Sequence, residues 1–542
     1  MGEVQKTAIG FDAFGHSRGL VQILKKCGYE NYVFLRPREM KCEPFIWEGF
    51  DGSKVCAYKL YEWYNTPKGE ALERVKAYNK DFGDRKINAL TWGIGNHGGG
   101  PSEKDLNDIN DYIDGCDDTE IVHSDFDSYF NELNKDGLNT KSESLVHCFV
   151  GCYTTMALVK QGHRRLESIL SLCEKMLCLS EIEYNEKDFE DAEKALLFIE
   201  FHDILPGTAI KKAEADSLNL IGYGIEIAER LGWKSFIHMC KGQKKAVDGE
   251  MPIMIYNPHP YETISDFEVE FQMVEQNHPG NGIYEIDNYT VKLNKYICDG
   301  INFINSLNIQ VYKDSADPWG METDAFDEYI GVFKPSRSAI VTENGDVRTK
   351  VQTFWEYSKS SAVITYIFSK NSRHLDVNIK MLSGDENIMY KLCINTNLDE
   401  SCDAYCQTMF GTEKTRKEGK ESVFQKWCAI KDSENTIAVL NTGIYGGSFK
   451  DNEIRLSLLR TPVYSAHPVE GVELAPNDRA YDHIDIGERN FDFSICINEP
   501  FVDCEAEIFN QKPLTLALFP QGNGDVIENG VYIDNKFIVL SA

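Results

Sequence analysis

The sequence of 542 residues lacks a long hydrophobic run, has little basic charge and has no closely paired cysteines. A membrane-spanning helix needs about 18 or more consecutive apolar residues, so we expect no membrane span. Lys and Arg number 56 against 86 Asp and Glu, which gives a net charge of −30. Nucleic acid and anionic membrane surfaces both require a basic face, so this charge argues against either as a partner.

The 16 cysteines are scattered, and none forms a Cys-x-x-Cys pair. Zinc sites and disulfide frameworks show close, regular cysteine spacings, which this sequence does not have. The beginning of the sequence also has no secretory signal pattern. The two observations together predict reduced thiols and a cytoplasmic location.

The spacing of apolar residues changes along the chain and predicts three regions. Residues 1–135 alternate strand-like runs with helices and begin with a βαβ unit, which is typical of an α/β domain. Residues 136–240 carry apolar stripes at helical spacing, which predict a three-helix bundle. Residues 245–542 alternate apolar and polar side chains, which predicts β-sandwich domains. The expected fold class is therefore multidomain, α/β followed by all-β.

Four local predictions follow from short sequence patterns. Asp51-Gly52 between two apolar runs predicts a β-hairpin. Residues 89–94 are apolar and predict a buried strand, and Ser102 is expected to cap the helix after the next loop. A glycine often ends a helix, so Gly232 is expected to end the third helix of the bundle.

Asp12 lies in the segment Gly-Phe-Asp-Ala-Phe-Gly-His-Ser, residues 10–17, directly after an apolar run. A carboxylate at the end of a strand is placed to act as a nucleophile or a metal ligand. Aspartate in a glycine turn also commonly caps that turn. The spacing alone slightly favours the turn cap.

Three further segments carry residues with possible chemistry. His202-Asp203 at a helix end suits a divalent metal site, although a histidine there also interacts with the helix C-terminus. The glycine-rich loop at Asn96-His97 lacks the lysine of a phosphate-binding loop, so nucleotide binding is not expected. Residues 479–489 are consistent with either a polar hairpin that reaches a site or a salt-bridged surface turn.

The order of these motifs along the chain is more specific than any one of them. Together they closely resemble the glycoside hydrolase family 38 α-mannosidases, especially the bacterial cytosolic branch. The resemblance covers nearly the whole chain, and the segments that carry it lie at residues 10–17, 95–101, 151–155, 164–167, 202–208, 425–427, 456–462 and 484–489.

The resemblance implies a retaining α-mannosidase with a partial β/α barrel at its N-terminus and a zinc-like divalent ion. Asp12 matches the catalytic nucleophile, which is also a metal ligand, and His202 matches the metal-binding histidine from the helical region. Asp203 matches a carboxylate that contacts sugar hydroxyls. The resemblance also places three side chains near the substrate, namely His97, Arg479 and Asp485.

Two features depart from the family pattern. The family's other two metal ligands, a His and an Asp, precede the nucleophile, and neither residue type occurs before Asp12 here. Two of the four expected ligands are therefore absent, and we expect a chain truncated at its N-terminus, and also at its C-terminus, with little or no activity. The general acid is also unassigned, because the glycine loop carries Asn96 and His97 where many relatives have an Asp.

The expected partner is a mannose-containing oligosaccharide, and relatives suggest a homodimer for the intact protein. Two alternatives stay open at this point. One is a non-catalytic carbohydrate-binding remnant. The other is a metal-dependent deacetylase, which the β-sandwich pattern and the order of the motifs disfavour.

Overall fold

The computed structural model describes residues 5–37, 39–83, 85–95, 99–117, 119–249, 252–263, 283–286, 289–292, 295–298, 301–314, 317–369, 372, 374–465, 475 and 479–522. The chain forms two compact units. The first contains Met1–Cys148 and Thr408–Glu413, and the second contains Phe149–Gln407 and Lys414–Ala542.

The helices and strands are numbered in chain order. The helices are α1 (Leu20–Lys26), α2 (Ala71–Phe82), α3 (Glu103–Asp114), α4 (Phe126–Glu132), α5 (Ala157–Ser180), α6 (Glu186–Ile199), α7 (Lys211–Lys241) and α8 (Val502–Asn510), with a 3₁₀ turn at Val150–Tyr153. The strands up to the large sheets are β1 (Thr7–Gly10), β2 (Asn31–Phe34), β3 (Pro44–Glu48), β4 (Lys54–Lys59), β5 (Thr140–Lys141), β6 (Ile253–Tyr256), β7 (Ile283–Ile286), β8 (Tyr289–Lys292) and β9 (Lys295–Cys298).

The remaining strands follow β9 along the chain. They are β10 (Ile301–Lys313), β11 (Tyr329–Val332), β12 (Lys334–Asn344), β13 (Arg348–Tyr357), β14 (Ser360–Ser369), β15 (His374–Ser383), β16 (Ile388–Thr396), β17 (Asp403–Thr408), β18 (Gly411–Thr415), β19 (Glu421–Val423), β20 (Trp427–Lys431), β21 (Thr436–Asn441), β22 (Gly446–Lys450), β23 (Glu453–Arg460), β24 (Gly487–Ile497) and β25 (Leu514–Ala517).

The first unit contains a five-stranded sheet with the order β1-β2-β4-β3-β5. β1 and β2 are parallel and are joined through α1, which confirms the predicted βαβ unit. β3 and β4 pair antiparallel around Asp51-Gly52, which confirms the predicted hairpin. All residues of β2 are buried, so this strand forms the centre of the unit's core.

The predicted strand at residues 89–94 is wrong, because these residues form no regular secondary structure. Their backbone groups are bonded by other partners instead of a neighbouring strand. Tyr58 Oη donates to the carbonyl of Ala89 at 2.9 Å, and the backbone N–H of Thr66 donates to the carbonyl of Gly93 at 2.7 Å. The predicted cap of α3 is confirmed, since Ser102 Oγ accepts from the backbone N–H of Asp105.

Three long helices of the second unit, α5, α6 and α7, share one apolar core. The predicted end of the third helix at Gly232 is wrong, since α7 continues through it to Lys241. A Cβ atom at position 232 would lie 2.8 Å from Cε of Met176 on α5. Gly232 therefore allows α5 and α7 to approach each other closely and does not end the helix.

Two large antiparallel sheets follow the helices of the second unit. One has the order β19-β22-β23-β16-β10-β9-β8-β7 with β11 beside β10, and the other β12-β13-β14-β15-β24-β21-β20-β17-β18. Apolar residues from both sheets, such as Ile309 and Leu392 from one and Val377 and Ile379 from the other, form a single buried cluster. The alternation predicted around Leu375 is confirmed in β15. The coarse fold class, mixed α/β with large all-β sheets, is therefore confirmed.

Two sequence predictions meet the structure only in part. Within the described residues, no helix is both long enough and apolar enough to cross a membrane. The described cysteines are free thiols, most of them buried, with Cys27 and Cys178 exposed. Residues 537–542 are an apolar stretch whose sequence is typical of a strand, and they lie outside the described residues.

Candidate active site

Asp12 lies two residues beyond the end of β1, at the carboxyl edge of the parallel strands. Gly10 of β1 pairs with Phe34 of β2, and Arg36 lies two residues beyond Phe34. Equal offsets from paired residues bring the two side chains together. Arg36 Nε and Nη2 donate to Asp12 Oδ1 at 3.0 and 2.6 Å.

The two partners of this ion pair differ in exposure. The side chain of Arg36 is 4% exposed and that of Asp12 is 30% exposed. The guanidinium is therefore buried, whereas the carboxylate that it contacts is partly exposed to solvent. The Arg36 guanidinium also lies over the rings of Phe14 and Trp63, at 5.4 and 5.0 Å from their centroids. Trp63 is itself 40% exposed. A carboxylate beside partly exposed aromatic rings is an arrangement that suits a sugar, which presents both hydroxyl groups and an apolar face.

His16, from the same motif as Asp12, supports Arg36 from within the core. Its Nε2 is 3.1 Å from the carbonyl oxygen of Arg36, and its Nδ1 is 2.8 Å from Tyr32 Oη. Burial lowers the pKa of His16 to about 4, so its ring is neutral at neutral pH. A neutral ring with one donor and one acceptor nitrogen satisfies both contacts. His16 therefore fixes the backbone that carries Arg36.

The glycine-rich loop is described only at its ends. Asn96 and His97 lie outside the described residues, so the predicted contact of His97 with substrate stays a prediction. A cavity of about 930 Å³ lies in the first unit, and its walls include Trp92 and Pro101, which flank the loop, as well as His123.

His202 and Asp203 lie in the turn that follows α6. His202 Nε2 is 3.9 Å from Asp203 Oδ2, and both side chains are about one third exposed, at 35% and 36%. Thr208 Oγ1 donates to Asp203 Oδ1 at 2.9 Å, which ties the two ends of the turn together. The rings of Phe201 and His202 lie 4.3 Å apart. The turn therefore presents an imidazole and a carboxylate side by side at its surface.

Arg479 and Asp485 have different surroundings. Arg479 is exposed, whereas Asp485 is only 2% exposed. Both carboxylate oxygens of Asp485 accept from the backbone N–H of Ala157, at 3.1 and 3.0 Å, and Arg489 Nε donates to Oδ1 at 3.1 Å. A carboxylate at a helix N-terminus satisfies an otherwise unpaired N–H group and interacts favourably with the helix dipole. These contacts give Asp485 a structural role, and substrate contact by either residue stays a prediction.

Other motif residues from the sequence lie in buried polar contacts of the second unit. Arg164 donates to Glu167 Oε2 at 3.0 Å and to Gln425 Oε1 at 2.9 Å. Trp427 Nε1 donates to Asp503 Oδ1 at 2.7 Å. Buried polar groups need such partners, so these segments stabilise the fold.

The predicted site residues divide between the two units. Asp12 belongs to the first unit, and His202 and Asp203 belong to the second. Across the described ranges, no three His, Cys, Asp or Glu side chains are arranged so that they could hold a metal ion. A zinc site needs three or four such ligands, so the described donors do not make one. We therefore derive no catalytic step through a metal ion.

Sequence reasoning missed Arg36, although a signal for it was present. Arg36 follows the buried strand β2 by the same two residues as Asp12 follows β1. Side chains two residues apart point to the same face of an extended chain, so equal offsets from neighbouring parallel strands predict contact.

Three consecutive parts of the chain match the domains of one enzyme family, in the family's own order. Residues 1–148 match the glycosyl hydrolases family 38 N-terminal domain, residues 147–235 the alpha mannosidase middle domain, and residues 292–469 the glycosyl hydrolases family 38 C-terminal domain. The chain belongs to glycoside hydrolase family 38. This confirms the family that the motif order suggested.

Curated relatives of this family 38 chain include alpha-mannosidase 2C1 of Mus musculus, which is 27% identical over 225 residues, or 38% of this chain. Alpha-mannosidase G of Dictyostelium discoideum is 27% identical over 223 residues, or 39% of this chain. The matched stretches cover 22% and 20% of those proteins, so the chain spans about a fifth of the length of the curated relatives it matches.

Two solved structures resemble the whole fold of the family 38 chain. An alpha-mannosidase from Enterococcus faecalis V583 superposes with a TM-score of 0.73 at 13% identity, covering 97% of this chain and 78% of that one. A glycosyl hydrolase family 38 protein from Enterococcus faecalis superposes with a TM-score of 0.69 at 12% identity, covering 96% and 76%. At these identities the likeness shows a shared fold.

Proposed function

We propose that the protein is a retaining α-mannosidase specific for terminal α-mannosides of oligosaccharides, with Asp12 as its nucleophile, and that the chain as it stands has little or no steady-state turnover. The observation that carries the proposal is the position of Asp12 at the carboxyl edge of the parallel strands, ion-paired with Arg36 and partly exposed. Membership of glycoside hydrolase family 38 and the names of the relatives support the reaction and the sugar.

In the proposed reaction, a carboxylate oxygen of Asp12 attacks the anomeric carbon of the mannoside. The glycosidic C–O bond breaks, and the leaving oxygen takes a proton from a general acid, which gives a mannosyl ester on Asp12. Water then attacks the same carbon and gives a proton to the residue that served as general acid, the ester bond breaks, and both the Asp12 carboxylate and the acid are restored. Two inversions at one carbon retain its configuration.

Arg36 contributes by orientation. Its two donors hold the Oδ1 atom of Asp12, and its own guanidinium lies against the rings of Phe14 and Trp63. A preset nucleophile needs less ordering when it attacks. Trp63 offers a partly exposed ring on which the apolar face of a sugar can stack.

The proposal also assigns roles to other residues and to a metal ion. Asp12 and His202 are among the ligands of zinc or another divalent ion, and the two reaction steps are described without that ion. Asp203 contacts sugar hydroxyls, and His97, Arg479 and Asp485 border the substrate. The proposed domains are a partial β/α barrel at residues 1–135, which contains the first unit's sheet, a three-helix bundle at residues 136–240 and β-sandwich domains at residues 245–542. The intact protein acts in the cytoplasm as a homodimer.

The proposal is tested by trapping the ester with a fluorinated mannosyl fluoride. The ring fluorine slows both steps because both pass through an oxocarbenium-like transition state, whereas the fluoride leaving group keeps the first step fast, so the sugar accumulates on the enzyme and steady-state activity is not needed. Peptide mapping by mass spectrometry is expected to place the adduct on the peptide that contains Asp12. Asp12→Asn is expected to abolish it.

The matched control is Asp136→Asn, which changes an exposed aspartate of the same unit and is expected to label like the unchanged chain. Binding of mannose-containing glycans without an adduct would instead favour the non-catalytic carbohydrate-binding alternative. An adduct on a residue other than Asp12 would contradict the assigned nucleophile.

A further inference from the structure

The turn that carries His202 and Asp203 forms three backbone hydrogen bonds within itself. The N–H groups of Ile204 and Leu205 donate to the carbonyl of Phe201 at 2.9 and 3.2 Å, and the N–H of Gly207 donates to the carbonyl of Ile204 at 2.9 Å. A turn bonded only within itself opens more easily than one that other elements also hold. The contacts that other elements make with this turn therefore determine how precisely the side chains of His202 and Asp203 are positioned.

Lys160, in the first part of α5, bonds this turn from the interior of the second unit. It is 4% exposed, and its Nζ donates to the carbonyl of Leu205 at 2.8 Å and to that of Thr155 at 2.5 Å. Leu205 lies two residues beyond Asp203. The lysine thus joins the turn to the segment just before α5.

This lysine is a costly residue for its position. Burial lowers the pKa of Lys160 to about 7, opposed by the charges of Cys152 and Asp485. Among the described residues, no carboxylate lies within ion-pair distance of its ammonium group. The hydrogen bonds that this group donates go to carbonyl oxygens. A cation near a helix N-terminus also opposes the helix dipole. A methionine of similar length would avoid these costs but would leave the carbonyls of Leu205 and Thr155 without this donor, so the two hydrogen bonds are what the lysine contributes here.

The partner of Lys160 on the other side is rigidly held. Thr155 Oγ1 donates to the carbonyl of Pro318 at 2.9 Å, and Arg460 Nη1 donates to Thr155 Oγ1 at 3.3 Å. Arg460 is fully buried and ion-paired with the buried Asp314. The Lys160 ammonium therefore connects the turn to a fixed frame of buried charges in the β-sheet region.

We propose that Lys160 is a positioning residue for the candidate site, because its ammonium group fixes the turn that presents His202 and Asp203. This inference rests on the proposed function, which gives those two side chains their roles. Lys160 itself contacts neither of them, so it acts through the backbone of the turn.

The test compares Lys160→Met with the unchanged chain by hydrogen exchange and mass spectrometry. Loss of two charge-assisted hydrogen bonds is expected to speed exchange of amides 201–208 by at least about tenfold, with α7 and the β13–β14 pair unchanged. Lys160→Gln retains an N–H donor and is expected to recover part of the protection. Unchanged exchange in the turn, or equal acceleration throughout α5, α6 and α7, would overturn the proposal.

Lys175→Met is the matched control, because Lys175 lies on the same helix and donates to Gln511 Oε1 at 3.2 Å, away from the turn. It is expected to leave exchange of amides 201–208 as it is in the unchanged chain. The same acceleration in this variant would contradict a specific role for Lys160.

A second measurement connects the turn to the chemistry. Lys160→Met is expected to slow formation of the Asp12 adduct by at least about tenfold, and Lys160→Gln to recover part of that rate. If the unchanged chain forms no adduct, the proposed function fails, while the exchange measurement still decides whether Lys160 fixes the turn. An adduct formed at the same rate in Lys160→Met would overturn the positioning role.

Discussion

Among single residues, the pair of Asp12 and Arg36 determines what the first unit can do chemically. Two neighbouring parallel strands bring the carboxylate and the guanidinium to one edge of the sheet. The guanidinium is buried and fixes the carboxylate, and the carboxylate keeps a solvent-facing surface. This combination of a fixed and accessible anion is what a nucleophile requires.

Replacing Arg36 with methionine is expected to slow formation of the Asp12 adduct by about a hundredfold, because a misplaced nucleophile loses its preset geometry. The rate is measured by mass spectrometry over time. Arg18→Met is the control, since Arg18 is likewise stacked on an aromatic ring, Phe50 at 4.5 Å, and donates to the carbonyl of Glu48. Equal rates for Arg36→Met and Arg18→Met would contradict the orienting role of Arg36.

His16 makes the first sheet sensitive to acid. Burial lowers its pKa in the folded protein to about 4 from an ordinary value of 6.5, so the unfolded chain binds the extra proton between these values. Stability contributed by the neutral ring is present above pH 6.5 and is lost as the pH falls towards 4. At about pH 5 the expected loss is about 2 kcal/mol relative to neutral pH.

The measurement is the opening free energy of β2 by hydrogen exchange at the two pH values, corrected for intrinsic exchange rates. His16→Gln removes the titrating group but keeps hydrogen-bonding atoms. The change in its opening free energy between the two pH values is therefore expected to be smaller by about 2 kcal/mol. His123→Gln, at an exposed histidine of the same unit, is expected to retain the loss. An identical pH dependence in His16→Gln and the unchanged chain would rule out this account.

Among the elements, the turn between α6 and α7 is held by its neighbours as well as by its own backbone hydrogen bonds. Lys160 holds it through Leu205, and Gly207 lies directly against the carbonyl of Thr155. Gly207 has a φ of +84°, in the left-handed region that favours glycine. The close approach and the backbone conformation both require the absence of a side chain.

Gly207→Ala is therefore expected to displace the turn and to destabilise the second unit by about 2 kcal/mol or more, since a Cβ atom would overlap the Thr155 carbonyl. Thermal unfolding and exchange of amides 201–208 measure this. Gly249→Ala separates the effect of backbone strain from that of the steric overlap. Gly249 has a φ of +91°, but no atom lies within 4 Å of the added Cβ. Equal effects of the two substitutions would mean that the contact with Thr155 contributes nothing.

At the scale of the whole molecule, the sequence predicted what depends on local pattern. Alternation in β15, the βαβ unit and the Ser102 cap each depend on residues close in sequence, and each is confirmed. The order of the motifs predicted the family because these motifs are distributed over nearly the whole chain, and the family is confirmed.

Predictions failed where a distant partner decided the outcome. Gly232 continues α7 because Met176 on α5 fills the space beside it, which no local pattern reveals. Residues 89–94 are apolar enough for a strand, but their carbonyl groups bond to Tyr58 and Thr66 instead of a neighbouring strand. Asp485 is buried against the start of α5, a contact with a distant part of the chain that the local sequence does not reveal, while its predicted contact with substrate stays a prediction. The contact of Asp12 with Arg36 and that of Lys160 with Leu205 likewise depend on the fold.

The central claim is that Asp12 is the nucleophile of an α-mannosidase, and peptide mapping after reaction with a fluorinated mannosyl fluoride tests it most directly. We predict one adduct per chain, on the peptide containing Asp12, and none in Asp12→Asn. A chain that binds mannose-containing glycans but forms no adduct, or that carries the adduct on another residue, would contradict the claim.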